Sequence, residues 1–249
     1  MRLDNYLVAK NIFDSRTKAQ QAISRGEIFI NNKAVLKSSF NVDENTDLKV
    51  EYRYLEKFVS LGGYKLKKAL EDFRFSVNGL TVADIGSSTG GFTDCLLKNG
   101  AKKVFAVDLN DNLLHESLKS NQNVVRIIKN AKELTFNDFN EPLDLIVADL
   151  SFISIQYVID VFASLLNPGK KLIVLIKPQF ETGQKKKFKN GIIKDKKIQM
   201  EICKNIYTLS IEKSLTPVAF TTAPVVEGKN LEFLMMFEKD GNNKLVLNI

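Results

Sequence analysis

VADIGSSTGGFTD, residues 82–94, runs from a short apolar strand through a carboxylate, Asp84, into a glycine-rich turn and out into a helix. Gly86, Gly90 and Gly91 let the backbone turn sharply and approach a ligand without a Cβ in the way. The spacing is not GxGxxG, so a dinucleotide fingerprint fits poorly. A carboxylate just ahead of the first glycine suits a cationic ligand better than a pyrophosphate, and S-adenosylmethionine carries such an amino group. The turn residues Ser87, Ser88, Thr89 and the following Phe92 belong to the same candidate cofactor site. A phenylalanine in the place of Phe92 is more often simple helix packing. Asp108, 24 residues after Asp84, ends the next strand, KKVFAVDL, where it can accept bonds from both hydroxyls of a ribose.

Working outward, apolar strands alternate with helical stretches: NVVRII, PLDLIVADL and KLIVLIKP are further strands. QYVIDVFASLLNPGK reads as a helix ending at Pro168–Gly169, and Ile198–Ser210 is helical by period. This alternation predicts an α/β fold with a parallel sheet covered on both faces. PVAFTTAP and LEFLMMFEK read as two closing strands in a hairpin. Asp149 in VADLSFIS and Lys177 in LIKPQFE end adjacent strands, at the edge where open α/β sheets place their ligands. Taken singly, Asp149 is also a plausible helix cap and Lys177 a plausible solvated lysine. Glu232 opens an apolar strand and needs a cation, which Lys177 or Lys65 can supply; Glu227 is its nearby competitor. Asn130, in KNAKELT, is a candidate adenine contact or simply a loop cap.

The first 50 residues form a separate small module: a helix over SRTKAQQAISRG capped by Ser15 and stopped at Gly26, then a strand, a turn at Asn31–Asn32 and a further short strand. Residues 51–59 read as a linker and 60–249 as the second domain. The formal net charge is +7 and the pI about 9.2, so a polyanionic partner is expected. Two basic clusters carry it. One contains Arg2, Arg16, Lys18 and Arg25; the other begins with Lys185, Lys186 and Lys187 and runs to Lys197.

Two distant cysteines and a single histidine, His115, give no metal spacing and no histidine-based triad, so no metal is expected. Cys95 and Cys203 read as small buried apolar residues and His115 as a surface residue. No apolar run approaches the roughly 20 residues a membrane helix needs, and no signal peptide is visible. A reducing, cytoplasmic setting and no membrane partner are expected.

Together these blocks resemble the TlyA family of rRNA ribose 2′-O-methyltransferases over essentially the whole chain. RLDNYLVAKNIFDSRTKAQQAISRGEIFINNKAV resembles the RNA-binding module first described in ribosomal protein S-four. FVSLGGYKLKKAL, DIGSSTGGFTDCLLKNGAKKVFAVDLN, DLIVADLSFIS, LIKPQFE and GKNLEFL resemble the methyltransferase blocks in order, and that half is also similar to FtsJ. The resemblance implies a Rossmann-like methyltransferase sheet beside a small α+β module, S-adenosylmethionine as donor and a cytidine of ribosomal RNA as acceptor. It also implies a Lys-Asp-Lys-Glu tetrad on Lys65, Asp149, Lys177 and Glu232. Compact members are associated with the large subunit alone, and this chain is compact. Leu61 stands where an arginine is commoner, which puts an RNA contact there in doubt.

Lys177 is the candidate base or hydroxyl-orienting group, and Lys65 a candidate for stabilising developing negative charge. Three rival readings make different demands. A nicotinamide-dependent oxidoreductase needs a GxGxxG turn, and a ribosome-assembly factor with a dead enzyme domain needs a broken tetrad. A membrane-active toxin, suggested by the haemolysin label some members carry, needs membrane segments.

Overall fold

The computed structural model describes the chain except residues 25, 32, 44–49, 53–57, 183–187, 189–190, 225–228, 243–244 and 246–249. Arg25, Lys185, Lys186, Lys187 and Glu227 therefore lie outside the described residues. The rest falls into two compact units, one from Met1 through Tyr52 and one from Phe58 onward.

In the first unit, helices α1 (Leu3–Ala9) and α2 (Arg16–Ser24) cover a three-stranded antiparallel sheet. Its strands are β1 (Ile28–Ile30), β2 (Lys33–Ala34) and β3 (Val50–Tyr52), in the order β2-β1-β3. Ser15 caps α2 by accepting the Lys18 N–H at 3.3 Å, as its place in the sequence predicts. Strand β3 pairs Tyr52 with Ile28, so the stretch read as a linker begins inside the sheet. The alternation of Val50, Glu51 and Tyr52 is a strand pattern that the charges of the stretch obscured.

A buried carboxylate organises this unit. Asp4 is fully buried and accepts from Arg2 Nε and Nη2, Arg16 Nε and Gln20 Nε2 at 2.7–3.0 Å. The Arg2 guanidinium, helped by Gln20 and Arg16, holds the Asp4 carboxyl well below the usual carboxylate range against the opposing effect of burial. Arg2 and Arg16 remain 42% and 53% exposed, so their outer N–H edges face water. Lys18 pairs instead with Asp14, at 2.8 Å on the surface.

The second unit is a seven-stranded sheet ordered β6-β5-β4-β7-β8-β10-β9. The strands are β4 (Thr81–Ile85), β5 (Lys103–Asp108), β6 (Val124–Ile128), β7 (Leu143–Ala148), β8 (Leu166–Ile176), β9 (Leu215–Thr222) and β10 (Phe233–Lys239). The first five are parallel, and β10 runs antiparallel to both β8 and β9. Helices α3 (Gly62–Asp72) and α4 (Gly91–Lys98) cover one face. They pack on Val82, Val104, Leu145, Val147, Ile173 and Leu234. Helices α6 (Ile159–Leu165) and α8 (Lys196–Glu212) cover the other, over Ala83, Phe105, Ile146, Val174 and Met235. Every residue of β4 is buried, which explains its unbroken apolar reading apart from Thr81 and Asp84. Short helices α5 (Glu116–Lys119) and α7 (Pro178–Glu181) follow the crossovers.

The helix expected to run to Pro168–Gly169 stops at Leu165. Leu166 already pairs with Leu143, and the next pair is Leu145 with Lys171, so the residues around Pro168 and Gly169 bulge out of β8. Proline and the residue before it resist helix, and the strand takes them. Cys95 and Cys203 are buried free thiols, and burial, with Glu181 nearby, pushes the Cys203 thiol up to about 12. His115 is exposed and caps α5.

Replacing Asp4 by alanine should destabilise the N-terminal unit by ~2 kcal/mol at neutral pH. A depressed folded-state pKa stabilises above the unfolded value and is lost as the pH falls below it. The gap between variant and wild type in urea unfolding should therefore shrink below about pH 4.

Candidate active site

The strand order reverses at β4, whose neighbours β5 and β7 are reached by opposite crossovers. A cleft opens there at the carboxyl ends of the strands, as expected for open α/β sheets. Its volume is about 450 Å³ including the open mouth. Gly86, Ser87, Ser88, Thr89, Gly91 and Phe92 line it after β4, Asp149 and Ser151 after β7, Lys177 after β8, and Ser60 and Gly62 ahead of α3.

Backbone approaches build the cleft. Gly86 has φ +86°, and a Cβ there would lie 2.7 Å from the Asp149 carbonyl oxygen. A Cβ on Gly91 would lie 2.2 Å from Ser60 Oγ and 2.9 Å from the Gly63 nitrogen. The amino ends of α3 and α4 thus touch through glycine, which brings the SLGGYKLKKAL segment to the rim. Asp94, almost fully buried, fixes the approach by accepting the Val59 N–H at 2.9 Å. Sequence reading missed it, because an aspartate in a first helical turn looks like dipole compensation.

The four residues of the expected tetrad form two ion pairs. Lys177 Nζ lies 2.6 Å from Asp149 Oδ1. Its angle falls outside that of a hydrogen bond, but an ammonium at this distance compensates the carboxylate. Lys177 also donates to Ser151 Oγ at 2.8 Å and is 7% exposed. Lys65 Nζ lies 2.6 Å from Glu232 Oε2. Because Phe233 pairs with Ile176, Glu232 precedes β10 at the sheet edge where Lys177 follows β8. Lys65, rather than Lys177, is therefore the partner of Glu232. Lys67 and Lys68 turn to surface partners, Asn99 and Asp72. Asp149 caps no helix; Ser154 caps the 3-10 turn Ile155–Tyr157 instead.

The cofactor candidates divide. Asp84 is fully buried behind the glycine turn, not in the cleft wall. Its Oδ2 accepts the Thr93 hydroxyl at 2.6 Å, and its Oδ1 has no partner. Burial above all, with Asp149 and Asp108 adding repulsion, pushes its carboxyl up to about 7 against the Thr93 bond. Asp108 accepts the Ser88 N–H at 2.8 Å and the Asn110 N–H at 3.2 Å, so it shapes the turn it faces. Asn130 accepts the Lys132 N–H at 3.0 Å, serving as a loop cap. The glycine cradle, the buried acceptor behind it and the carboxylate at its side fit a ligand that joins a cationic amino acid to a nucleoside.

Two aromatic residues stand next to the lining residues Ser151 and Lys177. Phe152 is 91% exposed and holds φ +66°, a left-handed conformation rare outside glycine. Its ring lies 5.2 Å from that of Phe180, which in turn lies 5.9 Å from Lys177 Nζ. Sequence reading passed over both, since an isolated phenylalanine ordinarily signals core.

Among the described residues no group of His, Cys, Asp and Glu could hold a metal ion, and no helix is long and apolar enough to cross a membrane.

The family model for FtsJ-like methyltransferases matches residues 58–239, and that for the S4 domain matches residues 1–48. The chain is 37% identical to the 23S rRNA (cytidine-2′-O)-methyltransferase TlyA of Campylobacter jejuni, over 79% of this chain and 83% of that one. It is 38% identical to Hemolysin A of Brachyspira hyodysenteriae, over 95% and 99%. A solved structure from Streptococcus thermophilus that carries a hemolysin label superposes with a TM-score of 0.75 at 31% identity, covering 99% of this chain and 91% of that one.

A carboxyl raised by burial leaves folding unopposed below its unfolded pKa and weakens it as the pH climbs towards the folded value. Asp84→Asn removes that dependence. Its thermal stability relative to wild type should therefore rise between about pH 4 and pH 7 and level off above, as differential scanning calorimetry would show.

Proposed function

The chain belongs to the TlyA family, FtsJ-like methyltransferases that carry an S4 domain, and from that premise we propose that it methylates the ribose 2′-oxygen of a cytidine in large-subunit ribosomal RNA. The donor in this reading is S-adenosylmethionine. The observation that carries the reading is the Lys177–Asp149 contact in the wall of a glycine-walled cleft, with the Lys65–Glu232 contact at the same edge of the sheet. The relative from Campylobacter is named for the 23S molecule, which supports the choice of subunit.

Gly86, Ser87, Ser88, Thr89, Gly91 and Phe92 would hold the donor, with Asp108 beside the nucleoside and Asp84 behind the turn as a buried polar group with one oxygen unpartnered. Bound there, the donor would supply a methyl carbon activated by its sulfonium. The protein's own task is then to place and deprotonate a weak nucleophile. An ammonium has three N–H bonds. Lys177 donates one to Ser151 while its charge lies against Asp149, which leaves donor capacity for an incoming hydroxyl oxygen. Held in that way, Lys177 orients the 2′-oxygen and stabilises the charge that builds on it, while the proton passes to water at the open mouth of the cleft. Lys65, tied to Glu232, adds a second positive charge at the same edge.

Phe152 supplies what the tetrad lacks, a flat apolar face for the acceptor base once it is lifted from its stack. The N-terminal unit supplies phosphate contacts through the outer edges of Arg2 and Arg16, whose inner edges are already spent on Asp4.

The direct test incubates the protein with methyl-labelled S-adenosylmethionine and ribosomal subunits, or their free RNA, from a strain lacking it. Ribose-methylation-sensitive primer extension then maps the label. A stop at a cytidine in 23S rRNA is expected; no label on any ribosomal RNA would sink the proposal. Lys177→Ala should lower kcat on the order of a hundredfold or more. Full transfer by that variant removes the tetrad assignment. Phe152→Ala should lower kcat/KM by roughly tenfold to a hundredfold, the worth of one base stack, with Phe152→Tyr close to wild type.

A further inference from the structure

The two catalytic segments after β7 and β8 are tied together by a residue outside the tetrad. Glu181 closes α7, four residues after Lys177. Its carboxylate accepts the Ser154 hydroxyl at 2.5 Å and the Ile155 backbone N–H at 3.1 Å. Both donors belong to the segment that leaves β7 through Asp149. Ser154 is itself buried and caps the turn that follows by accepting the Gln156 N–H at 3.2 Å. No cation pairs with Glu181 among the described residues, and burial raises its carboxyl above the ordinary range while the Ser154 and Ile155 bonds act the other way. A carboxylate kept in such a place without a counter-ion costs stability unless its hydrogen bonds are needed.

Between the ties the segment is strained. Ser151 meets Lys177, and Phe152, the next residue, sits at φ +66°. Such a conformation persists in a non-glycine residue only where its surroundings over-determine it. At the Asp149 end the restraint is the ion pair with Lys177; at the Ser154 end it is Glu181. Releasing either end frees Phe152 to relax, and Ser151 moves with it.

We propose that Glu181 is a positioning residue: its two hydrogen bonds brace residues 149–155 against residues 177–181, and so keep Asp149 and Ser151 on the Lys177 ammonium and Phe152 next to them. The inference rests on the proposed reading of Lys177 as the group that meets the ribose hydroxyl. The glycine cradle is built on β4, and Asp149 stays tied to β4 by its N–H to the Ile85 carbonyl at 3.1 Å, so donor binding should be little affected.

The test compares Glu181→Ala and Glu181→Gln with wild type in the same methyl-transfer assay, alongside hydrogen–deuterium exchange read by mass spectrometry. Glu181→Ala should lower kcat by about tenfold or more, the usual cost of a displaced catalytic group, with KM for S-adenosylmethionine within about twofold. Amides in 149–157 should exchange faster and the rest of the chain at the wild-type rate. Glutamine keeps an acceptor oxygen and should recover kcat to within about threefold of wild type. Wild-type kcat in the alanine variant, or a loss of kcat with unchanged exchange over 149–157, overturns the proposal. Should the alanine variant not fold, Ser154→Ala removes one of the two bonds and is judged by the same two measurements. Exchange needs no turnover. If wild type itself transfers no methyl group, the functional reading fails, and the exchange data still decide whether the brace exists.

Discussion

Opposite charges at the ends of two neighbouring parallel strands set the geometry on which the rest of the catalytic unit depends. Parallel strands lie about 4.8 Å apart, so groups that leave β7 and β8 at the same edge are forced together. The register that pairs Ala148 with Val174 puts Asp149 one residue and Lys177 three residues beyond the last pair, each directly after the end of its strand. Lys177 is nearly fully buried, and an ammonium buried alone would be strongly disfavoured. Asp149 and Ser151 make its burial tolerable, and that burial in turn excludes water from the place where a hydroxyl would arrive. The cleft is then walled on the β4 side by a turn that can approach the Asp149 carbonyl only because Gly86 has no side chain.

The second ion pair depends on the one departure from parallel order. A strand running antiparallel to β8 begins where β8 ends, so the residue entering β10 arrives at the carboxyl edge of the sheet. Glu232 reaches the active edge for this topological reason and needs no long loop. Lys65 comes from outside the sheet altogether, on a helix whose amino end can approach α4 only because Gly91 has no side chain. The four residues are therefore brought together by parallel register, antiparallel insertion and a glycine contact, three unrelated structural devices.

That difference explains what could be read from the sequence. Asp149 and Lys177 were legible because each stands at the end of an apolar run, and strand ends are visible in one dimension. The partner of Glu232 was not, because it depends on β10 lying between β8 and β9, a pairing choice made far along the chain. The glycine turn was legible as a cradle, but Asp84 lies behind it and not in it. An alternating face inside a buried strand shows no polarity signal beyond the residue itself. Asp94 and Glu181 were missed for a common reason: a carboxylate on a helix looks solvated until the backbone N–H it accepts comes from a distant segment. The end of the helix at Leu165 was missed because Pro168 and Gly169 read as a stop, whereas the strand begins before them.

Both units solve one problem in the same way, and the similarity bears on how each works. In each, a carboxylate with little or no exposure orients a cation that must remain available to something else. Asp4 takes the inner edges of Arg2 and Arg16 and leaves their outer edges in water, while Asp149 compensates the charge of Lys177, which lines the cleft. An oriented cation loses less conformational entropy when its ligand arrives than a free side chain does. The environments differ, however. The arginines are about half exposed, where mobile ions screen them, whereas Lys177 is 7% exposed, where they do so far less. In the proposed reading, contacts to a phosphate backbone would thus be left open to competition by salt, while the contact with the ribose hydroxyl would be protected from it. A protein organised in this way could release an RNA without loosening the group proposed to act on it.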